Sequence, residues 1–537
     1  MKEVLIIVLP YMVERKSGTH TKGVRGFLAF PYGTLTLASY VKAHAKSDHN
    51  ITVLDLNTHP VEDAQKIVQN HLDDLNPSIV GITFTFDVSY KHVPAITQRI
   101  KAHDPATCVV MGGPAATVSY QEIIQDQDCI DAVCYSEGER AMCALVDAEN
   151  PFAELENQPW VTRKSMQESV SPQSLYVENL NDVIAIDYTL VNISAYSMKQ
   201  AFSPFVSYRE ESDVRQFFLV TSRGCPFKCV FCAEPTFFGH GMRYVDMDPV
   251  IDHVESLVNE YGMNVLTIYD DQLLLDQKRA KELFRRLIPF NLRIEMPNGV
   301  TLVYIDDELA GLMKQAGVDS IFLAIESGSD YVLREIIKKP LKISKAKPII
   351  ETLQRNDIFV QAFFIIGFPG EREIDREMTI DFIKDVGLDW CYFNFATPLR
   401  GSELHRICLE NGWIDEKYLP IGGMDMMRYI IRPPGIDPER LERQVYLMNL
   451  DVNFVNNSRL KRGEYEVAAR CFQEVVERHP EHPFAHYFLA EALDALGAKN
   501  DSVITHRNRY KELIENNPTW QERVTFFEMN EPSSLPS

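Results

Sequence analysis

Cys225, Cys229 and Cys232 stand in the stretch Thr221-Ser-Arg-Gly-Cys-Pro-Phe-Lys-Cys-Val-Phe-Cys, a Cys-x3-Cys-x2-Cys spacing. Three thiolates so close in sequence suit a cubic 4Fe-4S cluster. Such a cube takes one thiolate per iron, so three cysteines without a fourth nearby leave one iron open to an outside ligand. That ligand should chelate through small, hard donors. The alternative is a zinc knuckle, but tetrahedral zinc needs a fourth Cys or His, and the near candidate is His240, eight residues on.

A loop of this kind must be held by rigid elements. From 213 to about 400, strand-like runs at 216–221, 265–270, 293–296, 320–325, 359–366 and 390–396 alternate with helix-patterned sequence such as 277–287. Cys225 falls four residues after the first of them, where α/β barrels place their chemistry. A second alternation precedes it, with apolar runs at 4–9, 51–56, 79–84, 108–111 and 132–135. This predicts an α/β, doubly wound parallel sheet with helices on both faces. Ligands of such sheets sit beyond the carboxyl ends of the strands, which here gather Pro10, Thr85, Ser89, Gly112, Gly113, Pro114, Glu137 and Gly138. The glycines permit close approach of a large flat ligand, although each alone also reads as a turn residue. No Gly-x-Gly-x-x-Gly follows the first strand, which disfavours a dinucleotide site.

The cluster loop, with Phe231 just before its last cysteine, resembles the signature of the radical S-adenosylmethionine (SAM) superfamily. The resemblance implies a partial (β/α)6 barrel, with SAM bound to the open iron through its amino and carboxylate groups. One electron, from an external donor such as a flavodoxin or ferredoxin, would cleave the sulfonium to a deoxyadenosyl radical. The front region, with Pro31-Tyr-Gly-Thr-Leu-Thr-Leu-Ala-Ser-Tyr opening its first helix, resembles the cobalamin-binding domain that precedes many such barrels. The Asp-x-His-x-x-Gly motif that carries a cobalt-ligating histidine is absent, so the resemblance implies a corrin bound without it.

Carried onto this sequence, the family pattern makes Phe231 a partner for the adenine and sets Asp270, Asp271 and Glu326 at strand ends facing SAM. It brings Ile366 and Gly367, in Phe363-Phe-Ile-Ile-Gly-Phe-Pro-Gly-Glu, to the adenine edge, with Phe395 near the base or the substrate mouth. Arg243, like Arg223, can balance the cluster or hold a carboxylate bidentately, or serve in an ordinary salt bridge. Asp270 and Asp271 can instead cap a helix. Lys338 and Lys339 could reach a carboxylate or phosphate, although paired lysines are more often exposed, and Trp390 reads as core. No general base is expected, because positioning replaces acid–base catalysis; Tyr304 and Tyr392 are candidate hydrogen relays.

The domain reading is a cobalamin-binding domain at 1–145, a connecting segment at 146–212 and the barrel at 213–410. A substrate-proximal linker follows at 411–454, then a helical segment at 455–520 and a tail at 521–537. Ala468, Ala485 and Ala490 recur with large apolar residues at helical spacing, similar to tetratricopeptide repeats. With about one and a half units, fewer than the roughly three that stand alone, this segment should dock on the barrel or on a second subunit, giving self-association.

The 76 acidic against 54 basic residues, a net charge of -22, exclude nucleic acid and anionic membrane surfaces as expected partners. The apolar run at 4–9 is too short for a signal-peptide core or a membrane span. The seven other cysteines show no paired spacing, as expected of reduced thiols in a cytoplasmic protein.

Together these readings predict a cobalamin-dependent radical SAM methyltransferase acting on an unactivated carbon, or on phosphorus, of a small natural-product intermediate; in the barrel it resembles the fosfomycin-biosynthesis type. The alternative is a non-methylating rearrangement or oxidative cyclisation with the same cofactors. A methylthiotransferase would need a second cluster, for which Cys108, Cys129, Cys134 and Cys143 are poorly placed. A repeat-bearing scaffold with a relic cluster is the non-enzymatic rival.

Overall fold

The computed structural model describes residues 1–11, 30–196, 214–498 and 500–529; residues 197–212 of the expected connector and 530–537 of the expected tail lie outside the described residues. The front sheet comprises β1 (Lys2–Val8), β2 (His49–Asp55), β3 (Ile79–Thr83), β4 (Cys108–Gly112) and β5 (Ala132–Cys134), all parallel, in the order β2-β1-β3-β4-β5. Side chains alternate along each strand. Leu5 and Ile7 of β1 therefore enter one core, and Val4 and Ile6 enter another on the opposite face. Burial on both faces is why these strands read as unbroken apolar runs.

Three two-residue strands were not foreseen, one in the front sheet and two in the barrel region. Within the expected connector, β6 (Trp160–Val161) adds antiparallel to β5. The same segment then runs across to the barrel, where Val177, Leu180, Ile184 and Tyr188 join the barrel's core.

The barrel region contributes β7 (Gln216–Leu219), β8 (Ser222–Arg223), β9 (Arg243–Tyr244), β10 (Val265–Ile268), β11 (Arg293–Glu295), β12 (Ser320–Glu326), β13 (Phe359–Ile366) and β14 (Trp390–Phe395). Two parallel three-stranded sheets, β11-β10-β7 and β12-β13-β14, are linked by a parallel bridge between Val300 and Leu323. The strand expected at 216–221 stops at Leu219 because the next two backbone N–H groups leave the ladder. Val220 N donates to Tyr32 Oη at 3.1 Å, and Thr221 N to Asp270 Oδ1 at 2.6 Å.

Beyond the barrel, helices at Pro438–Leu450, Tyr465–Arg478, Pro483–Ala495, Asn500–Glu515 and Pro518–Phe526 form the carboxyl-terminal region. It docks on the barrel. Phe359 and Trp390, the first residues of β13 and β14, pack with Phe454, Phe472 and Phe488. Beside them the fully buried Asp389 carboxylate accepts from Arg459 Nε at 2.6 Å, Arg462 Nη2 at 2.9 Å and Val360 N at 2.7 Å. The helices thus seal the amino ends of the strands and leave the carboxyl ends for chemistry. No helix among the described residues is long and apolar enough to cross a membrane.

Phe454 is the hub of this contact, with Trp390 and Phe472 rings each 5.7 Å away and His482 at 4.9 Å. Phe454→Ala should cost about 3–5 kcal/mol. Limited proteolysis should then cut the carboxyl-terminal helices before the barrel; unchanged protection would contradict this docking.

Candidate active site

The cluster loop is built on a backbone that only glycine can adopt. Gly224 has φ +96°, and a Cβ there would lie 2.2 Å from Gly241 O. From that turn Cys225 N donates to Gly239 O at 3.2 Å, and Cys232 N to Cys229 O at 3.0 Å. Val230 pins the middle of the loop to distant chain, accepting from Leu404 N at 2.8 Å and donating to Ile337 O at 2.9 Å. Burial pushes the thiol of Cys225 up to about 11 and that of Cys232 to about 12, and raises Cys229 as well, so metal coordination is what would ionise them.

Cys232 feels the charges of Cys225 and Cys229, yet no trio of metal-ligating side chains among the described residues closes on a single ion. His240 is exposed. A mononuclear zinc knuckle finds no converging ligand set among the described residues, whereas a cube spreads its ligands over separate irons and needs no single point of convergence.

Next to the last cysteine lies a carboxylate that the sequence reading passed over. Both Glu234 oxygens are buried without a hydrogen-bond partner, and burial, then the charge of Asp271, lifts its pKa to about 8. The Gly224 N–H approaches it without completing a hydrogen bond. Asp271 is raised to about 6 by burial and by Asp270. Two such carboxylates beside the open corner suit a cationic group, such as an amino group. The signal was a charged residue two places after a ligand, in a loop that must exclude water.

A cleft of about 360 Å³ opens at the carboxyl ends of β1, β3 and β4. In the strand order 2-1-3-4-5 this is the switch point where such sheets bind ligands. Thr85, Ser89, Gly112, Gly113, Pro114, Glu137 and Gly138 line it. Pro10 does not, although its neighbours Leu9 and Tyr11 do. Gly113, at φ +107°, has no room for a Cβ, which would meet Phe84 O at 2.7 Å. With Gly81, Gly112 and Gly138 it leaves a floor bare of side chains, which fits a flat macrocycle. The far wall comes from the barrel, as Arg223, Phe237 and Phe238.

A buried ion network joins the two regions. Glu137 accepts from Arg243 Nη2 at 2.6 Å, Arg243 Nη1 at 3.0 Å and Val177 N at 2.7 Å, while Arg223 Nη2 donates to Glu139 Oε1 at 2.7 Å. Ser136 Oγ reaches Phe237 O at 2.5 Å.

Comparison with known proteins meets this geometry at both ends. The B12 binding domain family matches residues 21–146, and the Radical SAM superfamily matches residues 219–383. The chain carries a B12-binding domain followed by a radical SAM domain. It is 28% identical over 79% of its length to cytidylyl-2-hydroxyethylphosphonate methyltransferase of Streptomyces wedmorensis, covering 86% of that protein. It is 29% identical over 76% of its length to an uncharacterised methyltransferase of Pyrococcus horikoshii, covering 83% of it. The solved structure of TsrM, a radical SAM methyltransferase from Kitasatospora setae with cobalamin and a 4Fe-4S cluster bound, superposes with a TM-score of 0.61 at 13% identity, over 96% of this chain and 99% of that one. That likeness shows the fold.

Within this B12-binding radical SAM protein, several side chains expected at SAM have other partners. Arg243 is taken by Glu137, Val177 O and Phe238 O, with the Tyr176 ring 4.7 Å from its guanidinium. Asp270 accepts from Thr221 N, Thr221 Oγ1 at 2.7 Å and Ser222 Oγ at 2.5 Å, so it holds the strand entering the cluster loop rather than capping a helix. Glu326, at φ +70° after a register shift in β12, accepts from Lys339 Nζ at 3.2 Å. Lys339 is thereby half-buried on a carboxylate, and its charge lies close enough to Cys229 to offset part of the rise that burial causes there.

The backbone of Ile366 and Gly367 is likewise engaged. Ala396 N donates to Ile366 O at 2.9 Å, Gly367 N to Glu371 Oε2 at 2.5 Å, and Tyr429 Oη to Gly367 O at 2.6 Å. Phe231 packs 6.0 Å from Phe368, and Phe395 6.0 Å from Tyr429. Tyr392 donates to Gln361 Oε1 at 3.1 Å inside the barrel.

Asp270→Asn puts an amide where the buried site supplies only donors, at a cost of about 1–3 kcal/mol. Reconstituted protein should then hold markedly less iron with unchanged far-ultraviolet circular dichroism; full iron loading would refute the role given to Asp270. Burial lifts Glu371 to about 7 from 4.5. Between those values only the folded chain keeps the proton, so its contribution is greatest below 4.5 and is lost as pH rises to about 7, by at most about 3 kcal/mol. Urea unfolding across that window should show the slope in the wild type and a flatter one in Glu371→Gln.

Proposed function

We propose that this protein is a methyltransferase that uses a 4Fe-4S cluster, SAM and cobalamin to place a methyl group on an unactivated carbon, or on phosphorus, of a small polar substrate. The observation that carries this reading is that the corrin cleft and the cluster loop share walls: Arg223, Phe237 and Phe238 line the cleft, and Arg223 stands two residues before Cys225. When bound, the cluster and SAM supply a carbon radical, and cobalamin supplies the methyl donor.

The chain's own residues do the positioning. Cys225, Cys229 and Cys232 would hold the cluster, and the barrel end would hold SAM with Phe231 and Phe368 against the adenine. Glu234 and Asp271 suit its amino group. Lys339, held by Glu326, presents the opposite charge for a carboxylate. The glycine floor and Thr85, Ser89 and Pro114 would carry the corrin. The aromatic walls exclude water, which matters because a primary radical attacks whatever is nearest.

The same reading takes the six parallel strands as a partial (β/α)6 barrel and the carboxyl-terminal helices as tetratricopeptide-like, with an external flavodoxin or ferredoxin as reductant. The aromatic face of those helices is already used on the barrel, which argues against self-association through that face.

Anaerobically reconstituted protein, with about four irons per chain, should be reduced with methyl-labelled SAM and candidate acceptors. Deoxyadenosine and S-adenosylhomocysteine should then form together with a labelled product. Deoxyadenosine without S-adenosylhomocysteine would replace methyl transfer by rearrangement or cyclisation, and about eight irons would favour a methylthiotransferase.

A further inference from the structure

The cluster loop meets solvent between its first two cysteines. Pro226 and Lys228 are exposed there, and Lys228 is covalently next to Cys229. The N–H of Val230, two residues on, donates to Ile337 O at 2.9 Å, which sets this tip beside the end of the π-helix Val332–Ile337 and the turn that follows it.

That neighbouring stretch is basic. From 334 to 345, Arg334, Lys338, Lys339, Lys342 and Lys345 stand against one acid, Glu335, in a chain whose net charge is -22. Lys339 is half-buried on Glu326, but the Arg334 side chain is 76% and that of Lys338 50% exposed, and Lys342 is exposed as well. Arg334 and Lys338 pair with Glu335 and Glu403, and exposed pairs of that kind are weak and easily exchanged. Lys228 and Lys342 have no acidic partner among the described residues. Tyr331, the residue before the π-helix, is 40% exposed and adds an aromatic face.

A cluster closed off from water still has to receive an electron, and electron transfer weakens steeply with distance. Its carrier must therefore touch the protein close to the loop. The net charge of this chain repels an acidic carrier, whereas a local basic face attracts and steers one.

We infer that a small acidic flavoprotein of the flavodoxin kind docks on this face, with its carboxylates on Lys228, Arg334, Lys338 and Lys342 and the apolar edge of its flavin against Pro226 and Tyr331. One electron passes from the reduced flavin to the oxidised cluster, and no bond is made or broken. The inference rests on the cluster reading of the three cysteines and adds to it the place where the electron enters.

Stopped-flow absorbance tests this on the full chain with its cluster reconstituted, mixed with reduced flavodoxin or illuminated with deazariboflavin, a small uncharged photoreductant. Reduction of the wild type by flavodoxin should slow as salt is added; a rate indifferent to salt overturns the inference. Lys228→Glu and Lys342→Glu should each slow it about tenfold at low salt and leave the extent of reduction by deazariboflavin unchanged. Lys342 is far in sequence from the cysteines, so its variant decides even where Lys228→Glu impairs cluster loading. Lys66→Glu, at an exposed position on the front-domain helix Ala64–Leu75, adds the same charge elsewhere and should change nothing. Binding of oxidised flavodoxin, read by calorimetry with no electron transferred, should weaken in the Lys228 and Lys342 variants. Wild-type rates and affinities in both overturn the inference, as does equal slowing by Lys66→Glu, which would make the effect one of net charge. Sensitivity of a ferredoxin, but not of flavodoxin, to the two substitutions overturns the choice of carrier. A wild-type chain that takes up no iron, or whose iron deazariboflavin cannot reduce, overturns the cluster reading itself.

Discussion

Four charges buried between two domains set the geometry on which the rest depends. Glu137 and Glu139 of the sheet domain face Arg223 and Arg243 of the barrel, with side chains between 1% and 17% exposed. Burying any one of them alone would cost several kcal/mol, and together they neutralise one another only when the domains are docked. Their contribution is therefore less a gain in stability than a fixed placement. Tyr32 Oη on Val220 N, Ser136 Oγ on Phe237 O and the Arg400–Glu122 pair add ties around the same seam. Cofactors that must exchange a carbon fragment without meeting water need this sort of constraint.

The barrel itself is organised by its two ends. At the amino ends of β13 and β14, aromatic packing and Asp389 bind the carboxyl-terminal helices. At the carboxyl ends, side chains replace the strand ladder as hydrogen-bond partners: Asp270 for Thr221, Glu371 and Tyr429 for Gly367. Tyr429 comes from the segment that also supplies Leu441, and a Cβ on Gly367 would meet those two side chains at 2.6 and 2.7 Å. Chain distant in sequence thus supports the rim.

Most strands were legible because parallel strands buried on both faces carry uninterrupted apolar runs, and the helix at 277–287 had a full amphipathic stripe. The carboxyl-terminal limits were less legible, since 216–221 loses its last residues to Tyr32 and Asp270. β6 was illegible, being two residues long and defined by a partner across the sheet. Among site residues, the cysteine triplet and the glycine floor could be read because their chemistry depends on local spacing and local backbone. Arg243 and Glu326 could be found but not assigned, since Glu137 lies 106 residues from Arg243 and Lys339 lies 13 from Glu326.

The sequence by itself determined the kind of metal center, the two α/β units and the strand ends where ligands collect. These follow from residue types within a few positions of one another, where covalent connection already fixes what can meet. The tertiary structure decided which carboxylate neutralises which guanidinium, which side chains hold the backbone at the rim, and that one arginine beside the cluster loop lines the cleft of the front domain. Those outcomes depend on charges being desolvated together, and a charge has no buried partner until separate domains have closed around it.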